Sequence, residues 1–242
     1  MAQLYKRPPI AEAVIEIRIR DPISKEVLDR LKDRLLKYYP ALPQQSMALN
    51  VEIGEKATKL QQQFEAYKLT SVDGSEVATI GPTVIATSKL APYHGWEPFI
   101  ATARRNWDVW KDLIGFKKLA RIGVRYVNRI DIPNPEGKPI PVSEYLRFFP
   151  TMPEFGQPPM ESFAINASAP VGADDCTLVL NASSAPSPLV KAVSFILDLD
   201  ISKTGDIPQN DEKLWAFVEK VRAHKNRIFE ASITDRARQL FS

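Results

Sequence analysis

Cysteine is nearly missing: Cys176 is the only one in 242 residues. A single thiol cannot close an internal disulfide, so a reducing cytoplasm is the expected setting. Histidine is almost as scarce, with His94 and His224 alone, which leaves little to build a histidine-centred site from. Glycine is outnumbered by proline, ten to twenty, and neither the dinucleotide nor the P-loop glycine pattern occurs. Nucleophile-elbow and zinc spacings are missing as well. No apolar run approaches the roughly 18 residues of a membrane span, and no signal peptide is read ahead of the first strand. Charge of one sign is also in short supply. The 32 basic and 29 acidic residues leave a net charge of +3, which argues against a dedicated nucleic-acid binder. What remains is an ordinary globular composition, 44% apolar and 25% charged, enough for one large domain or two small ones.

The most strongly patterned stretch is Lys118–Pro133, KLARIGVRYVNRIDIP. Strand side chains alternate between faces. One face carries Ile122, Val124, Tyr126, Asn128, Ile130 and Ile132; the other carries Arg121, Arg125, Arg129 and Asp131. β-Branched content and the closing Asp-Ile-Pro favour strand over helix. The N-terminal stretch Ile10–Arg20 has the same design. Ala11, Ala13, Ile15, Ile17 and Ile19 share one face, and Glu12, Glu16 and Arg18 lie on the other.

Landmarks around these two stretches recur. Val14 and Val124, Asp21 and Asp131, Leu36 and Leu146, Tyr38-Tyr39 and Phe148-Phe149, and Pro40 and Pro150 each stand 110 residues apart. The repeat predicts an α+β fold built from a duplicated strand-helix-strands-helix unit, with repeats at 1–115 and 116–242 inside one compact domain. An antiparallel sheet, open or curled toward a barrel, would pack long helices on one face.

Between the landmarks, Ser24 is a predicted N-cap for a helix carrying Val27, Leu28, Leu31 and Leu35. Met47–Ile53, Phe64–Val72, Glu76–Ile80 and Thr83–Leu90 are predicted strands, with a turn at Asp73-Gly74. Trp96–Ile114 is a predicted amphipathic helix closed by Gly115, with Trp107 and Trp110 on its buried stripe. Prolines make a loop of Asn134–Val142, leaving helical spacing only over Ser143–Phe149. Met160–Ser168, Cys176–Ala182 and Lys191–Ile201 are predicted strands, and the last adds Asp198 and Asp200 to the charged face. A final helix, capped at Asn210 or Asp211, is expected to run to about Leu240 with a basic last third that projects or meets a partner.

The chemistry lies in the charged face: Glu12, Glu16, Arg18, Arg121, Arg125, Arg129, Asp198 and Asp200. It reads either as a solvated face of cross-strand ion pairs, Glu12 and Glu16 pairing with Arg125 or Arg129, or as a face that grips a carboxylate or phosphate. A third reading has the acids hold a divalent metal while the arginines hold phosphate, as in triphosphate-tunnel hydrolases. The Glu-x-Glu-x-Lys hallmark of those barrels is replaced here by Glu12-x-x-x-Glu16-x-Arg18. His94 reads as a loop residue beside a helix cap, and His224 as a histidine on or beside an apolar stripe. Asp174-Asp175 raise the pKa of the neighbouring Cys176 thiol, which disfavours a nucleophilic role.

The opening YKRPPIAEAVIEIRI, the helix start at Gly95-Trp96-x-x-Phe99 and the strand RIGVRYVNRIDIP resemble a sporadically distributed prokaryotic family of about 250 residues with the same landmarks. The resemblance spans the chain. It implies no activity and no catalytic residues, only an association with accessory loci such as toxin–antitoxin or phage-defence genes. The expectation is a non-catalytic binding or interaction protein with a protein partner or anionic ligand and no cofactor or membrane, homo-oligomers remaining open. The alternative is a metal-dependent enzyme acting on a phosphorylated small molecule.

Overall fold

The structure, a computed structural model, describes residues 5–53, 58–151, 162–172 and 174–242, with side chains outside 48–63. It is α+β. Its strands are β1 (Ile10–Ile19), β2 (Gln44–Ile53), β3 (Thr58–Thr70), β4 (Glu76–Ile80), β5 (Val84–Leu90), β6 (Leu119–Pro133), β7 (Ala164–Val171), β8 (Cys176–Pro186) and β9 (Ala192–Lys203). They form an open, nine-stranded antiparallel sheet in the order β2-β3-β4-β5-β1-β6-β9-β8-β7. The helices are α1 (Lys25–Leu35), α2 (Trp96–Ile114), α3 (Asp211–Ser232) and α4 (Asp235–Gln239). None of the described helices is long and apolar enough to cross a membrane. The chain divides into two compact units, Val14–Ile122 and the residues up to Ala13 with Gly123–Ser242, so the boundaries fall inside β1 and β6.

In the unit Val14–Ile122, Ser24 caps α1 by accepting a hydrogen bond from the Val27 amide at 3.4 Å, and Leu28, Leu31 and Leu35 turn inward. β3, β4 and β5 follow as a meander. The tight turn at Asp73-Gly74 needs the positive φ of Gly74, 71°. The Asp73 carboxylate braces it, accepting from the Ser71 hydroxyl at 2.6 Å and the Ser75 amide at 3.1 Å. α2 covers β5 and packs beside α1. Trp107 and Trp110 are fully buried on its stripe, each contributing several kcal/mol of apolar burial. Asn106, also fully buried, donates to the Tyr39 hydroxyl at 2.6 Å and the Thr87 hydroxyl at 2.9 Å, so its amide is not left bare.

In the other unit, β6 alternates as its sequence predicts: Val124, Tyr126, Asn128, Ile130 and Ile132 are buried and Arg125 is exposed. Asn128 sits on the apolar face because its side-chain amide donates to the Leu197 carbonyl at 3.0 Å. α3 packs on β9, and Leu214, Phe217, Val218, Val221, Lys225 and Phe229 are among its buried residues. The N-terminal segment is tied to the same helix. The Tyr5 hydroxyl donates to Glu230 at 2.7 Å, and its ring meets Phe241 edge-on at 5.3 Å.

Four sequence expectations need correction. The final helix does not run to Leu240: it stops at Ser232, Ile233 is extended, and Thr234 caps the separate α4. The basic last third does not project, since Phe229, Ile233, Ala237 and Phe241 are buried there. Arg222 pairs with Glu219, Arg236 with Glu144 and Arg238 with Glu230. Ser143–Phe149 is not a helix but a 3-10 turn over Val142–Glu144, after which Leu146 bridges to Ile233. The predicted strand Met160–Ser168 starts later, at Ala164, and Met160-Glu161 lie outside the described residues. One repeat landmark also fails to align in register. Val14 alternates with the charged set of β1, whereas Val124 alternates with the apolar set of β6. A one-residue slip exchanges the faces of a strand, so the 110-residue spacing does not hold through these two strands.

Candidate functional site

The charged residues divide between the two units. In Val14–Ile122, Glu16 is the hub. Arg18 grips it with two hydrogen bonds, Nε to Oε1 at 2.8 Å and Nη2 to Oε2 at 3.0 Å, and Arg121 also donates to Oε1. Burial alone would push the Glu16 carboxyl up. The hydrogen bonds and charges of Arg18 and Arg121 outweigh it and hold the carboxyl below its ordinary range. Within its own unit Glu16 therefore pairs with Arg121 and Arg18.

In the other unit the centre is Asp198 on β9, which is only 6% exposed. Arg125 on β6 forks onto it, Nε to Oδ1 at 2.9 Å and Nη2 to Oδ2 at 2.8 Å. The Asn181 side chain on β8 donates to Asp198 Oδ2 at 3.2 Å, and Asn166 on β7 donates to Asn181 Oδ1 at 2.5 Å. The register accounts for the row, since Asn166 stands opposite Asn181 and Asn181 opposite Asp198. Four strands thus each contribute one side chain to a single polar rung. The Arg125 side chain remains 50% exposed, with Nη1 on the edge of the fork away from Asp198. The hydrogen bonds to Asp198, with the charges of Asp198, Glu12 and Asp200, raise its pKa further. Arg129 turns to Asp131 instead, with Nε 3.1 Å from both carboxylate oxygens, and Asp131 also accepts from the buried Ser194 hydroxyl.

Of the sequence candidates, Glu16, Arg18 and Arg121 form one cluster, and Arg125 and Asp198, with Glu12 and Asp200 in electrostatic range, form another. The metal-dependent alternative expects Glu16, Asp198 and Asp200 to converge. Among the described residues, no group of three His, Cys, Asp or Glu side chains is placed to hold a metal ion. Asn181, Asn166 and Ser194 were missed by the sequence reading. Nothing local marks them, because their role comes from cross-strand register.

The scarce residues do not join the two charged clusters. His94 is exposed in the loop before α2. His224 accepts from Arg227 at 2.6 Å, lies 3.7 Å from Asp174 and rests on Gly172. Cys176 is 1% exposed, and burial pushes its thiol up. A cavity of about 240 Å³ in the proline-rich loop after β6, lined by Pro133, Pro139, Tyr145 and Arg236 among others, does not include the charged face. Lys225 is 8% exposed, and its amine lies 3.8 Å from the centre of the Tyr126 ring. No family model matches the chain, and a search of curated proteins finds no match.

Proposed function

We propose that this chain is a non-catalytic binding protein that grips a protein partner with the charged side of β6 and β9 and the side-chain amides beside it on β8 and β7. The observation that carries this reading is Arg125: a guanidinium held in one orientation by a buried carboxylate, half exposed, and backed by a rung of side-chain amides. A pre-ordered arginine loses little rotamer freedom when an acceptor docks on it, which is the property of an interface anchor. Glu12, Asp198 and Asp200 make the local field acidic. That favours a polar protein surface over a free phosphate or other small anion. Neutralisation of a partner, as an antitoxin or a defence-associated immunity protein performs it, is the concrete form that goes with the family resemblance.

The architecture behind the face is proposed to be a duplication. Element order supports it: a leading strand, a short helical piece, an antiparallel meander and a long helix occur twice, from β1 to α2 and from β6 to α3. The leading strands would be offset by one residue from the 110-residue spacing, and the long helices would lie on the apolar side of the sheet.

The test is affinity capture with wild type and Arg125→Glu, alongside the melting temperature of each. The expected result is a partner retained by wild type and lost by the variant, while the variant melts within a few degrees of wild type. Equal retention by both proteins would remove this face as the contact surface.

A further inference from the structure

Among the described residues, no strand pairs with the outer edge of β7. β7 ends the sheet order and, among the described residues, hydrogen-bonds to β8 alone. Natural edge strands are protected by charge, proline or a bulge. The other edge strand, β2, has such a break, with its register shifting between Ser46 and Met47. β7 reads AINASAPV, has no charged residue, and keeps unbroken register from Ala164↔Ser183 to Val171↔Cys176. Pro170, near its end, is its one protection.

Which backbone groups face outward follows from the residue before the strand. The Phe163 carbonyl accepts from the Ser184 amide at 3.0 Å, and the Phe163 amide donates to the Ser184 hydroxyl at 3.1 Å. Backbone polar groups alternate sides along an extended strand, so odd-numbered residues turn theirs toward β8. Ala164, Asn166 and Ser168 therefore turn both N–H and C=O outward. Pro170 falls in the same set, where its missing N–H costs β8 no ladder bond.

We propose that β7 pairs antiparallel with β7 of a second copy of this chain, about a two-fold axis at Asn166. In that register Ala164 faces the partner's Ser168, and Asn166 faces the partner's Asn166. Every outward N–H from Ala164 to Ser168 meets an outward carbonyl, and Pro170 lies beyond the paired window. A two-fold contact sets each surface against itself, so any charge on the strand would meet its like; β7 has none. The side chains fit the same occupant. Asn166 spends one amide hydrogen on Asn181 and is exposed on its other side. A carboxamide is both donor and acceptor, so it matches its own copy, and the rung from Arg125 continues across the axis. A charged peptide would find no complementary charge on this strand. The proposal does not rest on the partner reading of Arg125.

The test is sedimentation velocity on the full chain from about 1 to about 100 µM, a range that spans micromolar association. The expected result is a species of twice the 27.2 kDa chain mass that grows with concentration. Ser168→Pro removes an outward N–H and leaves the β8 ladder intact. It should keep the circular dichroism spectrum and weaken the dimer at least about tenfold. Asn166→Asp and Asn166→Lys should each be monomeric alone and should pair when mixed, because opposite charges then meet at the axis. A monomer throughout the range, a dimer indifferent to Ser168→Pro, or mixed variants that stay apart would overturn it.

Discussion

Lys225 interrupts the buried stripe of α3. Helical spacing in the sequence points to His224 on that side, but the buried line passes through Lys225, and His224 lies beside it, half-buried. Burial first, then the charge of Arg222, pushes the Lys225 amine down to about 7, against the opposing pull of Glu230. The unfolded chain holds this proton to about pH 10.4. Between about 7 and 10 the unfolded state therefore binds more protons, and stability rises with pH; below about 7 the cost of the buried charge is complete. Lys225→Met is expected to stabilise the protein at pH 7 by about 1–3 kcal/mol in urea unfolding, with the gain shrinking toward pH 10. A gain equal at both pH values would assign the effect to packing rather than charge. The candidate site divides the same way between what is local and what is not. Alternation alone assigns Arg125 and Arg129 to the polar side of β6, because a strand's side chains repeat every second residue. That Arg125 meets Asp198, that Arg129 turns back to Asp131, and that Asn181 and Asn166 complete the rung depend on which residues stand opposite each other across the strands.

Elements with strong local signals were readable. α2 has apolar residues at helical spacing, a first-turn proline at Pro98 and a positive-φ glycine after its end, and its predicted bounds, Trp96–Ile114, match the structure. The break between α3 and α4 was not readable. Residues 211–242 contain no glycine or proline, so periodicity runs through the break. Tertiary contacts make it: Ile233 bridges to Leu146, and the Thr234 amide donates to the Tyr145 carbonyl at 3.0 Å. The Thr234 hydroxyl donates to the Glu144 carbonyl at 2.5 Å and accepts from the Ala237 amide at 3.3 Å as the cap of α4. Thr234→Ala is expected to cost about 1–2 kcal/mol by loss of the cap and the tie to Glu144, measured as a shift of the denaturant midpoint at constant slope. Thr234→Ser should recover most of it. The helix expected over Ser143–Phe149 fails for the complementary reason: that segment gives its backbone to the same bridge.

For the whole molecule, the expected response to metal is a flat one. With no suitable cluster among the described residues, magnesium or manganese, with or without nucleotide, should leave the melting temperature unchanged. A rise of several degrees at millimolar ion would restore the metal-dependent reading, since a ligand that binds only the native state must stabilise it. The sequence by itself determined the α+β class, the two-faced strands β1 and β6, and the helical stripe of α2, because each is a periodicity inside one segment that the hydrophobic effect reads locally. Only the tertiary structure decided that the sheet stays open, that the charges sort into a cluster around Glu16 and another around Asp198, and that β7 is left at an edge. Those outcomes are pairings between segments far apart in the chain, and a strand's own pattern says which face it buries but not which neighbour it takes or in what register.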